Sequence, residues 1–256
     1  MPIVVSALHF EWTDLPHCFQ RVREEFGLDG VELSWHTGYA RPHCTEADLD
    51  QLAEHGPGSG LELGAHIWEN LAQMGPGPAE EALRHWLAVA ARTGVRSLVI
   101  HGGSYADQRE GIARTRSILE SVLPEYEAAG VVLTLENHYA FDYRDCHELF
   151  SEVWEFREVL SLDSPSLRFC FDTGHAHMTG NIDELLGELG PYLHHVHLAD
   201  NFGEHDDHVM YGHGTVPFEH ILRTLEAQGY AGTYCVEFPV RDDLGPFREC
   251  VARLRR

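Results

Sequence analysis

The segment Val131–Glu136 reads VVLTLE, and Leu167–His175 reads LRFCFDTGH. Each is a short apolar run closed by a carboxylate, Glu136 in the first and Asp172 in the second, 36 positions apart. A run of this length, bounded by polar residues and rich in β-branched and aromatic side chains, reads as a strand buried on both faces. The distance between the two carboxylates is about one strand-plus-helix unit.

The same pattern extends in both directions. Apolar runs also occur at Ile3–Leu8, Gly30–Leu33, Leu61–Ile67, Ser97–His101, His195–Leu198 and Thr233–Phe238, which makes eight strand candidates. Helical patterns fill the intervals. Ala79, Ala82, Leu83, Trp86, Leu87 and Ala90 recur at helical spacing between Pro78 and Gly94, residues suited to the two ends of a helix. Phe218, Ile221, Leu222 and Leu225 form another stripe, closed by Gly229. In Gly111–Ala129 the stripe contains Pro124, which predicts a kink or a break. Alternating strands and helices imply a parallel sheet. Eight units in 256 residues is the count of a (β/α)8 TIM barrel, an α/β fold, in one domain spanning 1–256. An open doubly wound sheet is disfavoured, because no G-x-G-x-x-G follows the first strand.

The strand ends carry the chemistry. Glu32, His66, His101, Glu136, Asp172, His197 and Glu237 stand at or near the ends of seven of the eight runs. In a parallel barrel these ends share one mouth, where such folds place their sites. Any one of them could simply cap a strand; seven in register point to a common cavity. Asp172 and His175 are three apart across a strand-to-helix turn. His195 and His197 share a strand face, which leaves His194 turned away. Asp206 and His208 follow in the next loop, ahead of Gly212–His213–Gly214, a pattern that more often marks a turn than a phosphate cradle.

Composition narrows the partners. Eighteen basic residues, all arginine, face 41 acidic ones, for a net charge of −23 with neutral histidines. That field disfavours polyphosphate backbones, and the absence of lysine excludes lysine Schiff bases and a Walker A loop. Nineteen histidines supply metal ligands and proton carriers. The six cysteines form no C-x-x-C pair and read as free thiols of a reducing compartment. With no signal-peptide pattern and no membrane-length apolar run, the expected location is the cytoplasm.

Taken together, order, spacing and strand-end placement resemble the xylose-isomerase-like barrel superfamily, which includes sugar and sugar-phosphate isomerases and epimerases and also endonuclease IV (AP endonuclease family 2). The resemblance covers essentially the whole chain and is strongest from Val131 to Phe238. Resemblance to the ketose 3-epimerases implies a divalent metal, Mn2+ or Zn2+ with Co2+ or Mg2+ as further options, on Glu136, Asp172, His197 and Glu237. It makes Glu136 and Glu237 the catalytic acid/base pair, acting alpha to a carbonyl through a metal-stabilised enediolate, with His175 on the substrate. Glu32, His66, His101, Trp35 and Trp68 are further substrate-binding candidates, and Trp12 is a third tryptophan that could stack on a sugar ring.

Resemblance to endonuclease IV instead implies a multinuclear zinc phosphoester hydrolase, in which His66, His101, His175, Asp206 and His208 join the same quartet. The segment after His66 has no basic residue and is shorter than the DNA-inserting loop of that branch, which argues against nucleic acid as partner. Gly229-Tyr230-Ala231-Gly232 fits the isomerase-like relatives, whereas the interval Asn201–Gly214 lacks the arginine usual in ketose epimerases. The expected partner is a small sugar or sugar phosphate, and relatives of this kind are often homo-oligomers.

Overall fold

The computed structural model describes residues 1–10, 14–36, 44–240 and 244–256. Its centre is a closed barrel of eight parallel strands: β1 (Ile3–Ser6), β2 (Gly30–Trp35), β3 (Glu62–Ile67), β4 (Ser97–Ile100), β5 (Val132–Glu136), β6 (Leu167–Asp172), β7 (Leu193–Leu198) and β8 (Thr233–Val236). Neighbours in sequence are neighbours in the barrel, and β8 closes onto β1 through Ile3–Tyr234 and Val5–Val236. All eight expected strands are present. Their register places His197 beside Asp172 and Cys235, and Glu136 beside Cys170, so the polar ends converge at one level.

Helices pack around the barrel because each turns an apolar stripe inward. Pro78–Thr93 buries Ala79, Ala82, Leu83, Trp86, Leu87 and Ala90, with Pro78 in its first turn and Gly94 left-handed just beyond its last. Gln108–Ala129 runs through Pro124 as one helix, so of the expected kink or break the break does not occur. Pro124 lies on the exposed face, as does Glu120, whose carbonyl loses its helical partner and can be hydrated instead.

Strand parity corrects two expectations. Glu32 does not end β2; the strand continues through Ser34 to Trp35, paired with β3 up to Ile67. Glu32 therefore points into the barrel interior below the mouth, 1% exposed. Trp35 has the opposite parity and faces the helical layer, fully buried and stacked on Trp86 with ring centroids 5.2 Å apart. A ring sealed between strand and helix cannot reach a substrate. Trp12 lies outside the described residues.

The loops after β4 and β5 join in a small three-stranded antiparallel sheet, Ser104–Tyr105, Cys146–Glu148 and Asp142–Tyr143. Its strands are too short for periodicity to reveal them.

Replacing Trp35 with alanine is expected to cost about 3–5 kcal/mol of unfolding free energy by urea denaturation, as for large core aromatics. Unchanged stability with weakened ligand binding would contradict the packing role.

Candidate metal centre

The local sequence explains how the elements around the mouth are tied together. Asp172 ends β6 and caps the helix Thr173–Thr179, its Oδ1 accepting from the His175 backbone N–H at 2.6 Å. One carboxylate oxygen is thus used for structure, while Oδ2 is buried with no hydrogen-bond partner. Asn137, next after Glu136, ties β5 to β6: its amide donates to the Asp172 carbonyl at 3.0 Å and its Oδ1 accepts the Asp172 N–H at 2.8 Å. Asp200 anchors the loop after β7 by accepting backbone N–H groups of Gly212, Gly214 and Val216. A Cβ on Gly214 would lie 2.3 Å from Asp200 Oδ1, so the Gly-x-Gly serves close packing on a carboxylate.

Around these supports the polar side chains meet. Glu136 Oε2 lies 2.9 Å from His66 Nε2 and 3.0 Å from His101 Nε2. Its Oε1 lies 3.1 Å from His197 Nδ1, which is also 3.3 Å from Glu237 Oε2. His197 Nε2 points the other way, 3.2 Å from Glu32 Oε1. On the far side, His175 Nε2 and His208 Nε2 face the two oxygens of Asp206 at 3.4 and 3.2 Å. The Nδ1–H groups of these two histidines donate to the carbonyls of Asn137 and Glu237 at 2.9 and 2.6 Å, which fixes both ring orientations.

Burial and mutual charge shift these groups strongly. Burial pushes the Glu237 carboxyl up to about 7, helped by Glu136 and Glu32 and opposed by His197 and His208. For Glu136 burial acts upward too, but His197 and His101 outweigh it and hold the carboxylate well below its usual range. Burial disfavours charged imidazoles, yet the carboxylates and the Cys170 sulfur around His197 raise it well above its ordinary value. His175 is raised to about 10 against burial by Asp172, Asp206 and Glu136. His208 reaches about 9, through Asp206 and Glu237.

Glu136, Asp172, His197 and Glu237 present one ligand atom each, all within 4.8 Å of one another and all buried. The donor set is three carboxylates and one imidazole, suited to a hard or borderline divalent cation. The partnerless Asp172 Oδ2 and a His197 Nδ1 flanked by two carboxylates without an aligned hydrogen bond fit a shared ion. These residues therefore fit the metal that the sequence reading expected.

A family model described as xylose isomerase-like TIM barrel matches residues 19–256. The chain belongs to the xylose isomerase-like TIM barrel family. Solved structures of the same fold include a D-tagatose 3-epimerase-like protein, with a TM-score of 0.80 at 22% identity over 100% of this chain and 97% of the other. A D-psicose 3-epimerase from Clostridium cellulolyticum H10 aligns with a TM-score of 0.76 at 20% identity, over 94% and 86%. A 3-keto-D-glucoside 4-epimerase from E. coli gives 0.71 at 17% identity, over 100% and 99%. Two uncharacterised proteins of Methanocaldococcus jannaschii match in sequence, at 38% identity over 82 residues and 25% over 150. These matches cover 31% and 56% of this chain and span only 28% and 55% of the two relatives' lengths.

Within this xylose isomerase-like barrel, the structure brings together nine of the ten strand-end and loop residues expected at the mouth, namely the quartet with His66, His101, His175, Asp206 and His208, while Glu32 lies below it. Trp68 is half-buried there, stacked on His66 at 4.4 Å and donating to Ser34 at 2.8 Å. His194 is half-buried on the strand face away from the site, as its parity required. Three further residues, His9, Asn137 and His138, stand at the mouth although the strand-end pattern did not assign them to it. His9 follows β1 and stacks on His208 at 5.0 Å; extending the strand-end argument by one turn would have found it. His138 packs on His175 at 4.6 Å, and Asn137 is the strand clamp described above. His195 sits one layer below His197, 3.0 Å from Glu32. No helix among the described residues is long and apolar enough to cross a membrane.

Metal must displace protons here. His197 holds a proton above its ordinary range and Glu237 gains one below about 7, while ligation requires both lone pairs. Metal affinity is expected to fall as pH falls, with about one proton released per ion above neutrality and more below it. Calorimetry in buffers of differing ionisation enthalpy measures this directly. An affinity flat from about pH 6 to pH 8 would show that these groups do not ligate.

Proposed function

We propose that the protein is a metal-dependent sugar or sugar-phosphate epimerase or isomerase. The observation that carries this reading is the buried quartet, in which Glu136 and Glu237 flank His197 Nδ1 at 3.1 and 3.3 Å. Glu136, Asp172, His197 and Glu237 would hold the ion, and a bound divalent cation supplies Lewis-acid polarisation of a substrate carbonyl.

The remaining steps belong to the chain. One glutamate removes the proton from the carbon next to the carbonyl, and the other returns a proton to the opposite face, inverting that centre. The two exchange roles with the direction of reaction. His66 and His101 hold Glu136 from the other side, so its carboxylate is oriented before substrate arrives. His175 and Trp68 offer a cationic donor and an aromatic face to a polyol. A D-tagatose 3-epimerase-like protein and a D-psicose 3-epimerase crystallised with D-tagatose are among the structural neighbours, which makes these ketoses the first substrates to assay. The acidic, lysine-free composition favours a small substrate over nucleic acid.

Glu136→Gln is expected to lower solvent-hydrogen exchange into the ketose by about 10²-fold or more while the protein stays folded. Exchange at the wild-type rate in Glu136→Gln and in Glu237→Gln would remove the acid/base assignment.

One observation favours a second reading, a multinuclear phosphoester hydrolase of endonuclease IV type. His175 and His208 both donate Nδ1–H to backbone carbonyls and turn Nε2 toward Asp206, the way metal-ligating histidines are held. The epimerase reading predicts that a His66→Ala/His208→Ala double variant binds as many ions as the wild type. A lower count, together with chelator-sensitive cleavage of phosphoesters, would favour the hydrolase.

A further inference from the structure

Below the mouth, the barrel interior holds a second group of metal-ligand side chains: Glu32, His195 and Cys235, with the Nε2 edge of His197. All four are buried, and their ligand atoms lie within 4.8 Å of one another. We propose that this level is a second, thiolate-containing metal site for a borderline divalent cation such as Zn2+, distinct from the quartet above it.

The first support is unmet bonding. His195 is 2% exposed and neither ring nitrogen has a hydrogen-bond partner; Glu32 Oε1 has none either. His195 Nε2 nevertheless lies 3.0 Å from Glu32 Oε2. Apart from a long His197 Nε2–Glu32 Oε2 hydrogen bond of 3.4 Å, these close-set groups leave their lone pairs unmet, a need that one ion shared among them would satisfy. His197 Nδ1 shows the same signature in the quartet above.

The second support is the donor chemistry. The mouth residues offer only oxygen and nitrogen, whereas this level adds a sulfur, which selects Zn2+ over harder ions. Carboxylate, thiolate and two imidazoles make a four-ligand set of the structural kind. Filling the site would transfer to solvent one proton from the Cys235 thiol and one from His197 Nε2; with an ion held at the mouth as well, the ring would also give up its Nδ1 proton to solvent. The third support is access. A cavity of about 360 Å³ at the opposite end of the barrel is lined by His195, Thr233, Gly64, Val4, Arg96 and Glu62 among others, so an ion need not pass the mouth.

Co2+ titration tests this, because thiolate ligation gives a near-ultraviolet charge-transfer band that oxygen and nitrogen ligands do not. The wild-type protein is expected to develop the band to saturation with one Co2+. Asp172→Asn is expected to keep it, so failure of the mouth reading leaves this result standing. Cys235→Ser is expected to lose the band and one bound ion. His195→Gln, which retains the thiol, is expected to weaken the Co2+ that gives the band by about tenfold or more. Absence of the band in the wild type, its full intensity in Cys235→Ser, or unchanged affinity in His195→Gln would each overturn the proposal.

Discussion

The interior of this barrel is organised by the need to neutralise buried carboxylates. Glu32, Glu136, Asp172 and Glu237 are all buried, and an unpaired carboxylate there costs several kcal/mol. His197 is the hinge of the arrangement: fully buried, it touches Glu136 and Glu237 with one ring nitrogen and Glu32 with the other. A single imidazole carries at most one positive charge and so cannot balance three neighbouring carboxylates. The remainder falls to protons, to His175, or to a cation. The raised Glu237 and His175 and the depressed Glu136 are the imprint of that imbalance. A ligand that binds such groups in the folded chain alone would offset their cost, so occupancy of the mouth would stabilise the barrel.

The supports of the site are mostly hydrogen bonds between side chains and backbone groups, and this keeps them apart from the chemistry. Asn137 clamps β5 to β6 through main-chain groups, and Asp200 gathers three backbone amides. Neither uses a reactive atom, so the strand ends are rigid while their carboxylates stay available. Asp172 does both jobs with separate oxygens, Oδ1 for the helix cap and Oδ2 for the mouth. Dividing one carboxylate in this way requires the strand to stop and the helix to start at the same residue.

What could be read from the sequence follows from periodicity. Strand runs that close at or beside Glu136, Asp172, His197 and Glu237 pointed to the barrel and to one shared mouth, because alternation and strand-end position are local properties; singling out these four as one metal set came from the family resemblance instead. Glu32 was misplaced for a physical reason: its run of apolar letters ends at Leu33, but pairing with β3 extends the strand to Trp35. The same two residues reverse the reading of Trp35, whose parity sends it to Trp86. Pro124 predicted a kink or a break; the helix continues through it, with the proline on the exposed face. The role of Gly214 and the small sheet joining the loops after β4 and β5 depend on contacts between distant residues, so no local pattern announces them. His195 was legible as a partner of His197 on one strand face, but its depth was not, since depth depends on where β7 pairs with β6 and β8.

Depth is what separates the two levels of this interior. Two residues along a strand advance about 6–7 Å, so His195 and His197 occupy successive layers of the barrel while sharing one face. The upper layer opens to the mouth and is rich in oxygen, which suits exchange of substrate hydroxyls on and off an ion. The lower layer is closed to the mouth by the upper one and contains the sulfur of Cys235. An ion held there would act on chemistry only through His197, by changing the charge on the ring that faces Glu136 and Glu237. The reach of such an effect is set by that ring alone, since among the described residues His197 is the one side chain common to both the lower group and the quartet.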